Sequence, residues 1–358
     1  IPTMGGLVFI AGTLLGYLVA HLAAPRVPIT PTALLFLLML LGHAAVGFLD
    51  DHSKVTLQDT RGISGRQKLI GQGVVTTVFA VLALQFPDPR TGLTPASSAI
   101  SFTRDISWLD LMALGPVVGW ILVILWMNLL TMGASNGVNL TDGQDGLTAG
   151  AVTASLVAYS FISFFQAGQS CRNAGRDLAR QCFEVRDPLD LMVVATALAG
   201  SLVGFLWWNA RPARIIMGDT GALGLGGALA ALAILTRTEL LLIVIGGLFC
   251  MVTMSVILQR GFFKLTKGRR LFRMAPLHHH FELGGWAEIT ITIRFWIVAG
   301  LCMALGVGIF YIFVSWMAIA GTGPQKSIEL AQSADTSSEI FFGPVRSTYG
   351  EWAITLFN

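Results

Sequence analysis

Nine apolar runs free of Asp, Glu, Lys and Arg divide this chain: Leu7–Leu22, Ala33–Leu49, Leu69–Phe86, Leu111–Met132, Leu147–Phe165, Leu191–Trp208, Gly221–Thr236, Leu240–Leu258 and Phe295–Ala320. A hydrocarbon core takes about 20 apolar residues as a helix, with a range of ~17–25. A soluble helical core would show a polar face recurring at helical period, and these runs are apolar all round. The pattern predicts an all-α polytopic integral membrane protein with nine transmembrane helices. Gly221–Thr236 is short, which suits a tilted or partly buried span. Residues 1–320 read as a single membrane domain and 321–358 as a polar tail of unassigned role.

Four polar stretches interrupt the apolar pattern. They are Asp50 through Lys54, Asn139 through Gly146, Asn209 through Gly221, and Pro276 through Glu282. Alternating the nine spans puts all four on one side, together with the N-terminus. That side carries twelve Lys and Arg in its loops, against eight opposite, and six of the twelve crowd one loop: Arg260, Lys264, Lys267, Arg269, Arg270 and Arg273. The positive-inside bias therefore places the motifs on the cytoplasmic face, and the basic loop suits anionic lipid head groups. Charged residues make up 12% of the chain, against about 25% in soluble domains, and the net charge is +3, which gives no reason to expect nucleic acid. No signal peptide is visible, and the opening Ile1-Pro2-Thr3-Met4-Gly5-Gly6 reads as the interior of a longer chain.

Carboxylates, lysines and histidines are costly near a bilayer, so their gathering on one face argues for a site that handles charge. Asp50 and Asp51 point about 100° apart on a helix, so they cannot serve identical roles; one can face a cation or phosphate while the other orients Lys54. Asn139, Asp142 and Asp145 recur at three-residue spacing beside Gly143 and Gly146, without the ligand pattern of an EF-hand. Asp219 in Gly218-Asp219-Thr220-Gly221 is either a helix cap or a Mg²⁺ ligand. Lys68 either snorkels at the membrane border or reaches a pyrophosphate. His278, His279 and His280 would fan around a helix, which makes a poor zinc set but suits phosphate contact and proton exchange. His21 and His43 read as packing residues and His52 as local scaffolding. Cys171 and Cys182 share an outer loop, where a disulfide can persist, and two free thiols are the alternative.

These motifs, in this order and spacing, resemble the phospho-N-acetylmuramoyl-pentapeptide transferases of the polyprenyl-phosphate N-acetylhexosamine-1-phosphate transferase superfamily. The resemblance rests on Ile1 through Gly6, Asp50-Asp51 with Lys54, Asn139 through Gly146, Asn209 through Ala213 with Gly218 through Gly221, and Pro276 through Glu282. It runs from residue 1 to about 319. It implies a Mg²⁺-dependent bacterial plasma-membrane enzyme with a ten-helix pattern, whose first helix and a lysine before Pro2 are missing here. The reaction would carry phospho-MurNAc-pentapeptide from UDP-MurNAc-pentapeptide to undecaprenyl phosphate, giving lipid I and UMP. By the resemblance Asp219 binds Mg²⁺, and Asp50, Asp51, Asp219 and His279 lie at the reaction centre. Lys54, Lys68, Asn139, Asp142, Asp145, Asn209, His278 and His280 would line the substrate site. The family often has an aromatic residue near Ile216 to pack on uracil, and this chain does not. Membrane lipids are expected partners, and a homodimer is compatible with the pattern. Two rival functions are a UDP-GlcNAc:undecaprenyl-phosphate GlcNAc-1-phosphate transferase and, from another class, a cation-coupled transporter.

Overall fold

A computed structural model describes residues 2–25, 27–57, 62–89, 91–171 and 182–321. Its long helices are α1 (Gly6–Ala23), α2 (Pro31–Leu57), α3 (Gly65–Ala83), α4 (Pro116–Thr141), α5 (Leu147–Gly168), α6 (Pro188–Asn209), α7 (Gly218–Leu235), α9 (Gly247–Leu265) and α11 (Glu288–Gly321). Two short helices, α8 (Leu242–Ile245) and α10 (Leu277–Glu282), complete the set. Eight of the nine long helices are long and apolar enough to cross a membrane. The other, α3, has 19 residues and opens on Arg66, Gln67 and Lys68, with Gln72 a turn later; these polar groups dilute its hydropathy. The protein is an all-α polytopic membrane protein. The tail expected over 321–358 lies outside the described residues beyond Gly321.

Two expected spans are redrawn, and one element is added. Leu111–Met132 becomes a 3-10 turn at Leu111–Leu114 followed by α4, which runs on through Asn136 and Asn139 to Thr141. Polar residues outside the hydrocarbon do not stop a helix, so hydropathy alone ends it too early. Leu240–Leu258 breaks at Gly246, dividing α8 from α9. A small antiparallel hairpin, β1 (Ala99–Ser101) with β2 (Asp105–Asp110), stands between α3 and α4 and had no sequence expectation.

Helix α7 is the axis of the bundle, and its residues 220–235 are all buried. Its sequence is mainly Gly, Ala and Leu, and the small residues let neighbouring helices approach closely. A Cβ on Gly224 would meet the Leu40 carbonyl at 3.1 Å, and one on Gly226 would strike the backbone of Ser135. Helix α2 crosses closest at Gly47, which lies against the backbone carbonyl of Asp219. Gly47→Ala should therefore push α7 away and cost about 1–3 kcal/mol, measurable as a lower thermal midpoint in detergent. Outward-facing Leu15, Val117 and Leu129 are exposed, as residues in contact with lipid chains should be.

The ends of the helices meet as the alternation requires. Opposite the motifs, Asp190 at the head of α6 accepts from Tyr17 and Thr30 and pairs with His21 at 3.1 Å. Glu239 there accepts from the Ser101 amide at 2.9 Å, tying the hairpin to the α7–α8 corner. Burial pushes the Glu239 carboxyl up to about 7. Cys171 and Cys182 are joined by a disulfide.

Candidate active site

Helix α2 ends at the site with Asp50, Asp51 and Lys54, and α3 begins beside it. A capping box of Ser64 and Gln67 starts α3 and brings Lys68 in one turn later. Both lysines bridge the same two carboxylates. Lys54 Nζ lies 2.6 Å from Asp50 Oδ2 and 3.0 Å from Asp219 Oδ2; Lys68 Nζ lies 2.9 and 2.6 Å from the same atoms. Asp50 is fully buried and also accepts the Ile63 amide at 2.9 Å. Gly62 makes that approach with φ of 60°, and a Cβ there would strike Asp50 Oδ1.

Asp51 points the other way, as adjacent helical residues must. Its oxygens accept the Asp219 amide at 3.2 Å, the Thr220 amide at 2.8 Å and the Thr220 hydroxyl at 2.7 Å. A carboxylate from α2 thus caps the N-terminus of α7, where amide donors and the helix dipole both favour negative charge. Asp219 is thereby fixed in the first turn of α7, facing the lysines. Asp50, Asp51 and Asp219 each offer an oxygen within 4.8 Å of the others, a donor set suited to a hard divalent ion.

The segment entering α7 is held by the opening motif. Ile216 donates to Pro2 O at 3.0 Å, while Gly5 and Gly6 donate to Ile216 O and Met217 O at 2.8 and 3.0 Å. Pro2 through Gly6, which in the sequence carry only a resemblance, lace the segment that delivers Asp219. Thr220, inside the Gly218–Gly221 motif, likewise has a role that only its contacts with Asp51 disclose. Asn209 donates to Ile215 O at 2.9 Å and Asp145 accepts the Ala213 amide at 3.1 Å, so both brace this segment. Arg211 pairs with Glu288 at the head of α11, a contact with no sequence signal.

Asn139 stands in the last turn of α4, its carbonyl accepting the Asp142 amide at 3.2 Å. Burial, and then the nearby Asp219 and Asp51 carboxylates, push the Asp142 carboxyl up to about 7. An acid raised above its ordinary value of about 4 favours the fold below that value, and the benefit is lost as pH rises through 7. Asp142→Asn should therefore become more stable relative to the parent between pH 5 and 8, read as the difference in thermal midpoints; a constant difference would count against this placement of Asp142.

The three histidines part company on α10. His278 is fully buried against Gly143, and neither ring nitrogen has a hydrogen-bond partner. Burial and the adjacent His279 lower its pKa to about 4, so it stands neutral at pH 7. His279 Nδ1 lies 2.8 Å from Glu282. His280 Nδ1 accepts the Arg273 amide at 3.1 Å and so faces the basic loop. Ile216 is partly exposed beside the site.

Known proteins resemble this chain over most of its length. The model of the family described as Glycosyl transferase family 4 matches residues 33–237, which take in α2 through α7. A phospho-N-acetylmuramoyl-pentapeptide-transferase of Clavibacter sepedonicus is 55% identical over 315 residues, covering 87% of this chain and 85% of the relative. The proteins of that name from Micrococcus luteus and Kineococcus radiotolerans are 54% and 57% identical, each over 87% of this chain and over 83% and 85% of their own lengths. The chain belongs to glycosyl transferase family 4, among the phospho-N-acetylmuramoyl-pentapeptide transferases, and is a membrane phosphoglycosyl transferase.

Proposed function

We propose that this enzyme transfers phospho-MurNAc-pentapeptide from UDP-MurNAc-pentapeptide to undecaprenyl phosphate on the cytoplasmic face of a bacterial membrane, forming lipid I and UMP. The observation that carries this reading is the pair of lysines, from α2 and α3, that both bridge Asp50 and Asp219. Donor and acceptor are both anions, and two unit charges about 4 Å apart repel by about 4 kcal/mol at an effective dielectric of about 20. Lys54 and Lys68 are placed to offset that repulsion. Asp219 fits Mg²⁺, with its carboxylate partly exposed beside two further carboxylates. When bound, the ion would neutralise diphosphate charge and stabilise the departing UMP.

The acceptor, a phosphate monoester with a second pKa of about 6, is mostly a dianion at neutral pH and needs little help from a base. Both members of the aspartate pair already hold other groups: Asp50 holds the lysines and the Ile63 amide, and Asp51 holds α7. We assign them to positioning rather than to a covalent intermediate, with a single in-line displacement at the donor's phosphorus. His278 is fully buried with both ring nitrogens unpartnered, so as a neutral imidazole it would meet the donor only after a shift of α10.

Release of UMP should require Mg²⁺, undecaprenyl phosphate and UDP-MurNAc-pentapeptide together. Release with UDP-GlcNAc in place of the muramoyl donor would move the assignment to the sister transferase. Solute uptake by proteoliposomes without UMP release would favour a transporter.

A further inference from the structure

The end of α9 and the loop behind it form a surface to which the proposed reaction assigns no role. Arg260, Lys264, Lys267, Arg269, Arg270 and Arg273 are all exposed there, and residues 240–281 contain no Asp or Glu. None of the six lies within ion-pair distance of a carboxylate among the described residues. Arg260 and Lys264 are four apart on α9 and so share a face. Apolar side chains alternate with them: Leu258 and Phe263 are exposed, and Leu265 is 85% exposed.

The loop is folded back rather than extended. Gln259 Oε1 accepts the Leu271 and Phe272 amides at 3.0 and 2.8 Å, and its Nε2 donates to Phe272 O at 3.1 Å. The later cations are thereby drawn back beside the end of α9. Arg273 then reaches α10: its guanidinium donates to Leu283 O at 2.9 Å and its amide to His280 Nδ1 at 3.1 Å.

We propose that this ridge docks on anionic phospholipid head groups of the leaflet that carries the active site. The two features together select the occupant. A soluble anion would be held by the cations alone and would leave the exposed Leu258, Phe263 and Leu265 unused. A head-group layer takes both, with apolar side chains entering the acyl boundary and cations meeting phosphates. The ridge continues directly from a membrane-spanning helix, which sets it at head-group depth. Through Arg273, lipid docking steadies the loop that carries α10.

The test uses the full chain purified in neutral detergent and probed by native mass spectrometry with phosphatidylglycerol or phosphatidylcholine. The parent should retain phosphatidylglycerol over phosphatidylcholine by about tenfold, with the preference falling as salt rises. The triple variant Arg260→Gln, Lys264→Gln, Lys267→Gln should lose that preference. A charge-conserving triple, Arg260→Lys, Lys264→Arg, Lys267→Arg, should keep it. Equal retention of the two lipids by the parent, or an undiminished preference in the glutamine variant, overturns the proposal. So does a raised KM for the nucleotide donor in the glutamine triple variant alongside an unchanged lipid preference, which would give the ridge to the donor instead. The lipid readout does not depend on turnover, so failure of the proposed reaction would leave it standing.

Discussion

Asp219→Asn is expected to abolish Mg²⁺-dependent turnover, by about a thousandfold or ~4 kcal/mol of transition-state stabilisation, while leaving the fold intact. The substitution keeps the shape of the side chain and removes its charge. Two ammonium groups now lie 3.0 and 2.6 Å from Asp219 Oδ2, and the variant leaves them sharing Asp50, with Asp51 at 4.0 Å as a further partner for Lys54 alone. Ion binding suffers as well, because an amide oxygen is a weaker ligand for a hard cation than a carboxylate. The helix itself should hold, since Asp51 caps α7 through the backbone of residues 219 and 220, which the change does not touch. The measurement is UMP release across a Mg²⁺ titration, beside thermal unfolding in detergent. Ordinary activity at ordinary Mg²⁺ would remove Asp219 from the site.

What the sequence could and could not disclose follows from the physics of each part. The spans were readable because lipid exposure demands uninterrupted apolar side chains, and eight of the nine expected spans meet the criteria of length and apolarity. Their ends were less readable. Hydropathy tracks the solvent around a helix and not its hydrogen bonding, so α4 carries Asn136 and Asn139 past the expected boundary. The convergence of Asp50, Asp51, Lys54, Lys68, Asp142 and Asp219 was readable from topology, since every one of these residues lies near a helix end on the same side. The partners of the aspartate pair were not. That two neighbouring acids differ follows from helical geometry, but which one faces the lysines depends on how α2 turns about its own axis. That rotation is set by tertiary contacts such as Gly47 against α7. The bracing roles of Asn209 and Asp145 were hidden for a similar reason. Both hold backbone atoms of the segment before α7, and a backbone partner leaves no mark in the sequence.

One consequence is that the site separates a layer that holds charge from a layer that holds shape. Asp50 is fully buried behind the two lysines, while Asp219, Lys54 and Lys68 keep some exposure. A substrate approaching from the cytoplasmic side under the proposed topology meets the cations and Asp219 before it can reach Asp50. Substitutions at Asp50 should then act through the lysines.

The same reasoning makes Asp51 the second position of large expected effect, through a different route. Its two oxygens accept three hydrogen bonds from the first turn of α7, and a carboxylate is acceptor on both. Asp51→Asn would turn an amide N–H₂ toward at least one of those donors and remove the negative charge that the helix N-terminus favours. Loss of a buried hydrogen bond costs about 1–3 kcal/mol, so the thermal midpoint should fall. Turnover should fall about a hundredfold, because Asp219 shifts relative to Lys54 and Lys68 and reacting groups tolerate displacements of little more than ~1 Å. Thr220→Val separates this from a direct chemical role, since it breaks the 2.7 Å bond while leaving the Asp51 carboxylate in place. It should lower both stability and turnover in the same direction as Asp51→Asn, with a smaller effect of about tenfold on turnover. If Thr220→Val changes neither while Asp51→Asn eliminates the reaction, Asp51 acts on substrate and not on the helix. Labelled phosphate trapped on Asp51 would establish that alternative, and with it a two-step reaction.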